Sequence, residues 1–89
     1  MRIDYSRRFI KQLKKAPLDI QKAVRNRIEL FAFNQQHPLL RNHKLTGIYE
    51  GCRSINITGD WRAIYEEYDE LFEPYMYFSE LGTHSKLYK

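Results

Sequence analysis

Four residues in the second half of the chain are of types that handle protons and phosphate. His43 stands in "RNHKLTG", Asp60 and Arg62 in "RSINITGDWRAIY", and His84 in "GTHSKLYK". Imidazole is the side chain that exchanges a proton near neutral pH. A guanidinium grips phosphate oxygens, bidentately where geometry allows. Two imidazoles, a carboxylate and a guanidinium at one rim of a sheet make a plausible set for cutting a phosphodiester. Asp60 is also a common turn residue, so the spacing alone does not assign it a chemical role.

Other chemistries have no matching pattern. There is no HExxH, CxxC or clustered carboxylate sequence of the kind that holds a metal. Four glycines are too few and too scattered for a phosphate-cradling loop, and no nucleophile elbow surrounds a serine. The single cysteine, Cys52, excludes an internal disulfide and reads as a small strand residue in a reducing compartment. His37, beside Pro38, reads as a helix-end residue.

The elements that must position these groups follow from periodicity. "MRIDY" alternates as a short strand, and Ser6 is a good N-cap for a helix carrying Phe9, Ile10 and Leu13. Pro17 ends that helix or opens the next. From Leu18 to Phe33, Ile20, Val24, Ile28 and Phe31 recur at helical spacing. A short connection makes the two helices an antiparallel hairpin. Residues 38–47 read as loop. Strands are expected over 49–58, 61–68 and 75–81, with a turn at Asp69-Glu70 and a short tail after Gly82. The order is β-α-α-β-β-β: one α+β domain over residues 1–89, an antiparallel-type sheet with the helical hairpin on one face.

Strand alternation then sorts the side chains. With Ile55 and Ile57 toward the helices, Cys52, Ser54 and Asn56 turn away. A two-residue turn at Gly59-Asp60 would set Ile57 opposite Arg62 and drive a cation toward the core. A three-residue loop, Thr58-Gly59-Asp60, sets Ile57 opposite Trp61 and Asn56 opposite Arg62. The longer loop is preferred, because burying an unpaired charge costs far more than imperfect turn chemistry. It puts Asn56, Arg62 and Ile64 on the open face, and Trp61, Ala63 and Tyr65 inward.

Composition narrows the partners. The net charge is +4, the sequence pI is about 9.3, and aromatics reach 15%. The cationic excess lies in residues 1–44, whereas 66–80 is acidic. A small basic domain favours a polyanion, either nucleic acid or an acidic protein segment. The N-terminal "MRIDYSRRFI" is not apolar enough for a signal peptide or membrane span, so a cytoplasmic protein without a membrane partner is expected.

Taken together, "RNHKLTG" at 41–47, "RSINITGDWRAIYE" at 53–66 and "GTHSKLYK" at 82–89 resemble the RelE superfamily of type II toxin–antitoxin systems, most closely its YafQ-like branch. The resemblance covers the whole chain and is strongest from His43 onward. It implies a RelE/ParE-like fold and a ribosome-dependent mRNA endonuclease without cofactor or metal, neutralised by a cognate antitoxin in a hetero-oligomer. By position, His43, Asp60, Trp61 and His84 match functional residues of the YafQ-like pattern, Tyr88 its C-terminal aromatic, and Arg62 the phosphate-contacting strand arginine of the RelE branch. Where some relatives carry a further histidine in the first hairpin strand, this chain has Asn56, which cannot carry a proton at neutral pH. His43 and His84 must then share the acid–base work.

On this reading the RNA 2′-OH is the nucleophile. His43 or Asp60 removes its proton, and Arg62, with Lys44 or Arg53 nearby, meets the phosphoryl charge. His84 protonates the leaving 5′-oxygen. Lys44, Arg53, Asn56, Trp61 and Tyr88 are the expected substrate contacts. Arg7, Arg8, Lys11, Lys14, Lys15, Lys22 and Arg25 suit ribosomal RNA phosphates or an acidic antitoxin segment. The alternatives are a ParE-like gyrase poison that cuts no RNA, and a plain RNA-binding module of the same fold.

Overall fold

A computed structural model describes residues 1–88. Strand β1 (Arg2–Tyr5) leads into helices α1 (Arg7–Lys15) and α2 (Leu18–Phe33). After a 3₁₀ turn over Pro38–Leu40 come β2 (His43–Lys44), a second 3₁₀ turn over Gly47–Tyr49, β3 (Arg53–Thr58), β4 (Trp61–Glu70), β5 (Glu73–Thr83) and α3 (His84–Leu87). The strands form one sheet in the order β1-β5-β4-β3-β2.

The sheet is mixed rather than purely antiparallel, because β1 pairs with β5 in parallel from Arg2↔Tyr75 to Tyr5↔Phe78. The remaining pairings are antiparallel. Two elements read from sequence as loop and tail are regular: His43 and Lys44 pair with Ser54 and Arg53, and the segment after Thr83 coils into α3.

Ser6 performs two tasks where β1 gives way to α1. Its Oγ accepts from the Phe9 amide at 2.9 Å, capping α1, and donates to the Ser79 carbonyl at 2.7 Å. Beyond Tyr5 the edge of β5 has no strand neighbour. There Gln12 on α1 accepts the Leu81 amide through Oε1 at 2.7 Å, so a helix side chain finishes the ladder. Pro17 stands at the N-cap of α2, where its missing N–H costs nothing.

The core lies between the helical pair and the sheet. Phe9, Ile20, Val24 and Phe31 meet Ile55, Ile57, Ala63, Tyr65, Phe78 and Leu81. Phe31 packs edge-on against Tyr65 and Phe78, with ring centres 4.9 and 5.3 Å apart. Such pairs add about 0.5–1.5 kcal/mol beyond area burial. Tyr65 keeps its hydroxyl satisfied by accepting from Asn42 at 2.7 Å, and Asn42 in turn accepts from Arg53 at 2.8 Å.

The β3–β4 hairpin has the shorter of the two loops considered above, not the preferred three-residue one, yet keeps Arg62 opposite Asn56. Asn56 does pair with Arg62, and Ile55 with Ala63, but Thr58 rather than Ile57 sits opposite Trp61. A bulge at Ile57 absorbs the extra residue. The turn is therefore the two-residue Gly59-Asp60, with Gly59 at φ +43°, and Arg62 still points away from the core. Ile57 remains fully buried, and its carbonyl accepts from Arg27 on α2 at 3.0 Å.

The β4–β5 hairpin turns later than Asp69-Glu70. Its central residues are Leu71 and Phe72, at φ +49° and +69°, between the paired Glu70 and Glu73. Both side chains are almost wholly exposed. The second face of the sheet is also less bare than its pattern suggests. Ile64 is completely buried there, beside a buried Ser54 whose hydroxyl has no hydrogen-bond partner among the described residues.

Candidate functional site

One open cleft of about 410 Å³ collects Arg41, His43, Leu45, Asn56, Arg62, His84 and Tyr88. Each reaches it from a different local device. Leu40 is buried and anchors the first 3₁₀ turn, after which Arg41 adopts a left-handed backbone (φ +46°). That bend feeds β2, whose pairing to β3 sets His43 opposite Ser54. Asn56 and Arg62 face each other across the hairpin and point into the cleft. In register, Arg62 also lies opposite Gly82 on β5.

Gly82 is buried and permits the next step. A Cβ there would lie 3.3 Å from Leu87 Cδ2, so the bare backbone leaves room for Leu87 to fold back. This return carries His84 and Tyr88 over the end of the sheet. The His84 amide donates to the Asp60 carbonyl at 2.9 Å, fastening α3 to the hairpin turn. The Tyr88 ring lies 4.7 Å from the His84 imidazole, tilted by 52°.

Hydrogen bonding distinguishes the two histidines. His43 Nδ1 is 2.8 Å from the Arg41 carbonyl. A carbonyl accepts only, so Nδ1 carries a proton, and in the neutral ring Nε2 is the nitrogen with the lone pair. His84 is exposed, with its imidazole against Tyr88. Arg62 Nη1 donates to the Gly59 carbonyl at 2.7 Å and the Trp61 carbonyl at 3.1 Å, which directs the guanidinium. Its other donors have no protein partner among the described residues.

Several residues singled out from sequence stand elsewhere. Asp60 is exposed at the turn and does not line the cleft; its backbone, not its carboxylate, meets His84. Trp61 packs against the core and, with Leu87, lines a neighbouring depression behind α3. Lys44 and Arg53 line another depression with Cys52 and Glu67. Arg53 is engaged there by Asn42. Burial, with Glu66 nearby, pushes the Cys52 thiol up, which suits a structural cysteine. Ile64, expected to line the open face, is buried beneath it.

Arg41 and Leu45 were missed. Both lie within the "RNHKLTG" stretch, two residues to either side of His43, and that proximity was the available signal. Arg41 itself belongs to no turn motif that would aim it at the cleft.

Away from the cleft, α1 presents a basic surface where Arg7, Arg8, Lys11 and Lys15 share a shallow depression with Gln12. Between α1 and α2 runs an apolar groove of about 320 Å³ containing Ile10, Leu13 and Ile28, with Arg25 at its edge. No helix is long and apolar enough to cross a membrane among the described residues.

Comparison with known proteins agrees with this architecture. Solved structures that match include a YoeB/ParE toxin from Agrobacterium tumefaciens, at 15% identity and TM-score 0.75 over 94% of this chain and 99% of that one. YafQ from E. coli strain BL21(DE3) matches at 23% identity and TM-score 0.67 over the full length of both chains. A YafQ-containing match from the E. coli DinJ–YafQ complex has 26% identity and TM-score 0.64, again over both chains entire. No curated protein matches by sequence. The family model described as "Bacterial toxin of type II toxin-antitoxin system, YafQ" spans residues 1–89, and the chain belongs to that family.

Proposed function

We propose that this YafQ-family toxin is a ribosome-dependent mRNA endonuclease that works without a metal, using His43 as base, His84 as acid and Arg62 as the phosphate-binding cation. The observation that carries this reading is the meeting of His43, Arg62, His84 and Tyr88 in one cleft.

The proposed chemistry starts from the tautomer that the Arg41 carbonyl selects in neutral His43. His43 Nε2 takes the proton of an RNA 2′-OH while Nδ1–H stays on the Arg41 carbonyl. The 2′-oxygen attacks the adjacent phosphorus. Negative charge grows on the phosphoryl oxygens, where Arg62, with Arg41 and the Asn56 amide alongside, supplies donors already held in place. His84 gives its proton to the departing 5′-oxygen. The products are a 2′,3′-cyclic phosphate and a 5′-hydroxyl. Tyr88 offers a ring on which a base can stack, a contact worth about 1–3 kcal/mol.

Dependence on the ribosome has a physical basis in the cleft. Its volume of about 410 Å³ is near the low end of ligand sites, and both imidazoles are exposed. A flexible strand gains little orientation from so open a surface. Presentation by a ribosome supplies the alignment that the cleft lacks. The basic face of α1 suits ribosomal RNA phosphates. The apolar groove between α1 and α2 suits a cognate antitoxin, in line with the DinJ–YafQ match. These activities belong to the cytoplasm.

The test is cleavage of a translated mRNA by wild type and by His84→Ala. Cuts made by wild type and lost in the variant, with ribosome binding retained, support the assignment. Growth arrest with intact mRNA supports the gyrase-poison reading instead.

A further inference from the structure

The four residues of α3 are too few to hold a helix by themselves. One side of α3 is fixed by Leu87 on Gly82. The other side is fixed by aromatic contacts. Tyr88 lies 4.7 Å from the His84 ring and also meets Tyr49 edge-on, with ring centres 5.8 Å apart and planes at 84°.

Tyr49 comes from the 3₁₀ turn Gly47–Tyr49, a segment with no other part in the cleft, and it does not line the cleft itself. It is half-buried, and its phenol lies near the Glu80 carboxylate. Glu80 also pairs with Arg8 on α1 at 3.3 Å. Burial, then the neighbouring Glu80 carboxylate, pushes the Tyr49 phenol up to about 12, so it remains a donor at neutral pH. The contacts thus run from α1 through Glu80, Tyr49 and Tyr88 to the imidazole of His84.

We propose that Tyr49 is a positioning residue for RNA cleavage: its ring, edge-on to Tyr88, holds Tyr88 against His84 and sets the direction in which that imidazole presents its proton. The inference rests on the nuclease reading for its kinetic consequence, but not for its geometry. A misplacement of about 1 Å in a reacting group costs on the order of 10²-fold in rate. An edge-to-face ring contact is a small energy that fixes an orientation.

The test compares wild type, Tyr49→Phe, Tyr49→Leu and Tyr49→Ala. Single-turnover cleavage of a ribosome-bound mRNA is measured beside the NMR signals of the His84 ring in the free protein. Tyr49→Leu keeps apolar bulk, so the question remains answerable if the alanine variant folds poorly.

Loss of the ring is expected to lower kcat by about 10- to 100-fold with KM little changed. The His84 signals should shift in the leucine and alanine variants, because Tyr88 swings away. Tyr49→Phe should keep both the rate, within a few-fold, and the His84 signals. Wild-type rate with unmoved His84 signals in Tyr49→Leu would overturn the proposal. So would a change confined to KM, which would make Tyr49 a substrate contact. Wild type that leaves the mRNA uncut would overturn the nuclease reading, and the His84 signals alone would then decide the positioning claim.

Discussion

The His84 amide donates to the carbonyl of Asp60 at 2.9 Å, so the turn of one hairpin holds the first residue of α3. The Asp60 carboxylate takes no part in that bond and lies outside the cleft. Asp60→Asn, which keeps the carbonyl, should therefore lower cleavage by only a few-fold. His84→Ala removes the proposed acid and should cost about 10²–10⁴-fold. Rate measurements on the two variants check this; equal losses would return the Asp60 carboxylate to the chemistry.

His43 and His84 should leave separate marks on the pH–rate profile. A base works only when deprotonated, so it produces the acid limb; an acid produces the basic limb. His43, with its Nδ1 proton engaged by the Arg41 carbonyl, is the proposed base. His43→Gln should abolish the acid limb of kcat/KM, and His84→Gln the basic limb, each with a large loss of rate. Single-turnover rates across the neutral range check the assignment, and exchanged limbs would reverse the roles.

The Leu71-Phe72 turn is a site of stored cost. Both residues have positive φ, which for non-glycine residues costs roughly 1–2 kcal/mol each, and two-residue hairpin turns favour Asn-Gly. Both side chains are exposed, so little packing is lost on replacement. Leu71→Asn with Phe72→Gly should stabilise the fold by about 1–2 kcal/mol, read as a higher urea midpoint at unchanged slope. A lower midpoint would show that the apolar pair supports the native state.

Alkaline stability should fall in a defined window. The Tyr49 phenol is pushed from 10.0 to about 12 in the folded protein by burial and then Glu80. Above pH about 10 the unfolded chain releases this proton while the folded one retains it. Stability is therefore full below that point and declines as pH rises toward about 12. Urea midpoints across this range should fall more steeply in wild type than in Tyr49→Phe, and parallel curves would contradict the shift.

The core and the hairpin partners were legible because their signals are local and periodic. Ile55 and Ile57 alternate toward the helices, and Asn56 faces Arg62, because side-chain alternation governs a strand wherever one face is buried. The bulge at Ile57 was not legible, since it reconciles a short turn with a core requirement by a backbone change that no residue type announces. The late turn escaped notice for the opposite reason, as Leu and Phe are poor candidates for positive φ. A two-residue strand such as β2 has no period to detect. Among candidate site residues, His43, Asn56, Arg62, His84 and Tyr88 line one cleft. Trp61 and Arg53 match in type and spacing, but their side chains go to packing and to Asn42.

The central claim is that the cleft cuts RNA through paired imidazoles. Its most direct measurement is the chemistry of the new ends on a ribosome-bound mRNA after brief exposure to wild type, His43→Gln and His84→Ala. The account predicts 2′,3′-cyclic phosphate and 5′-hydroxyl ends with wild type, and almost none with either variant. Ends of a 3′-hydroxyl and 5′-phosphate, or wild-type cutting by both variants, would contradict it.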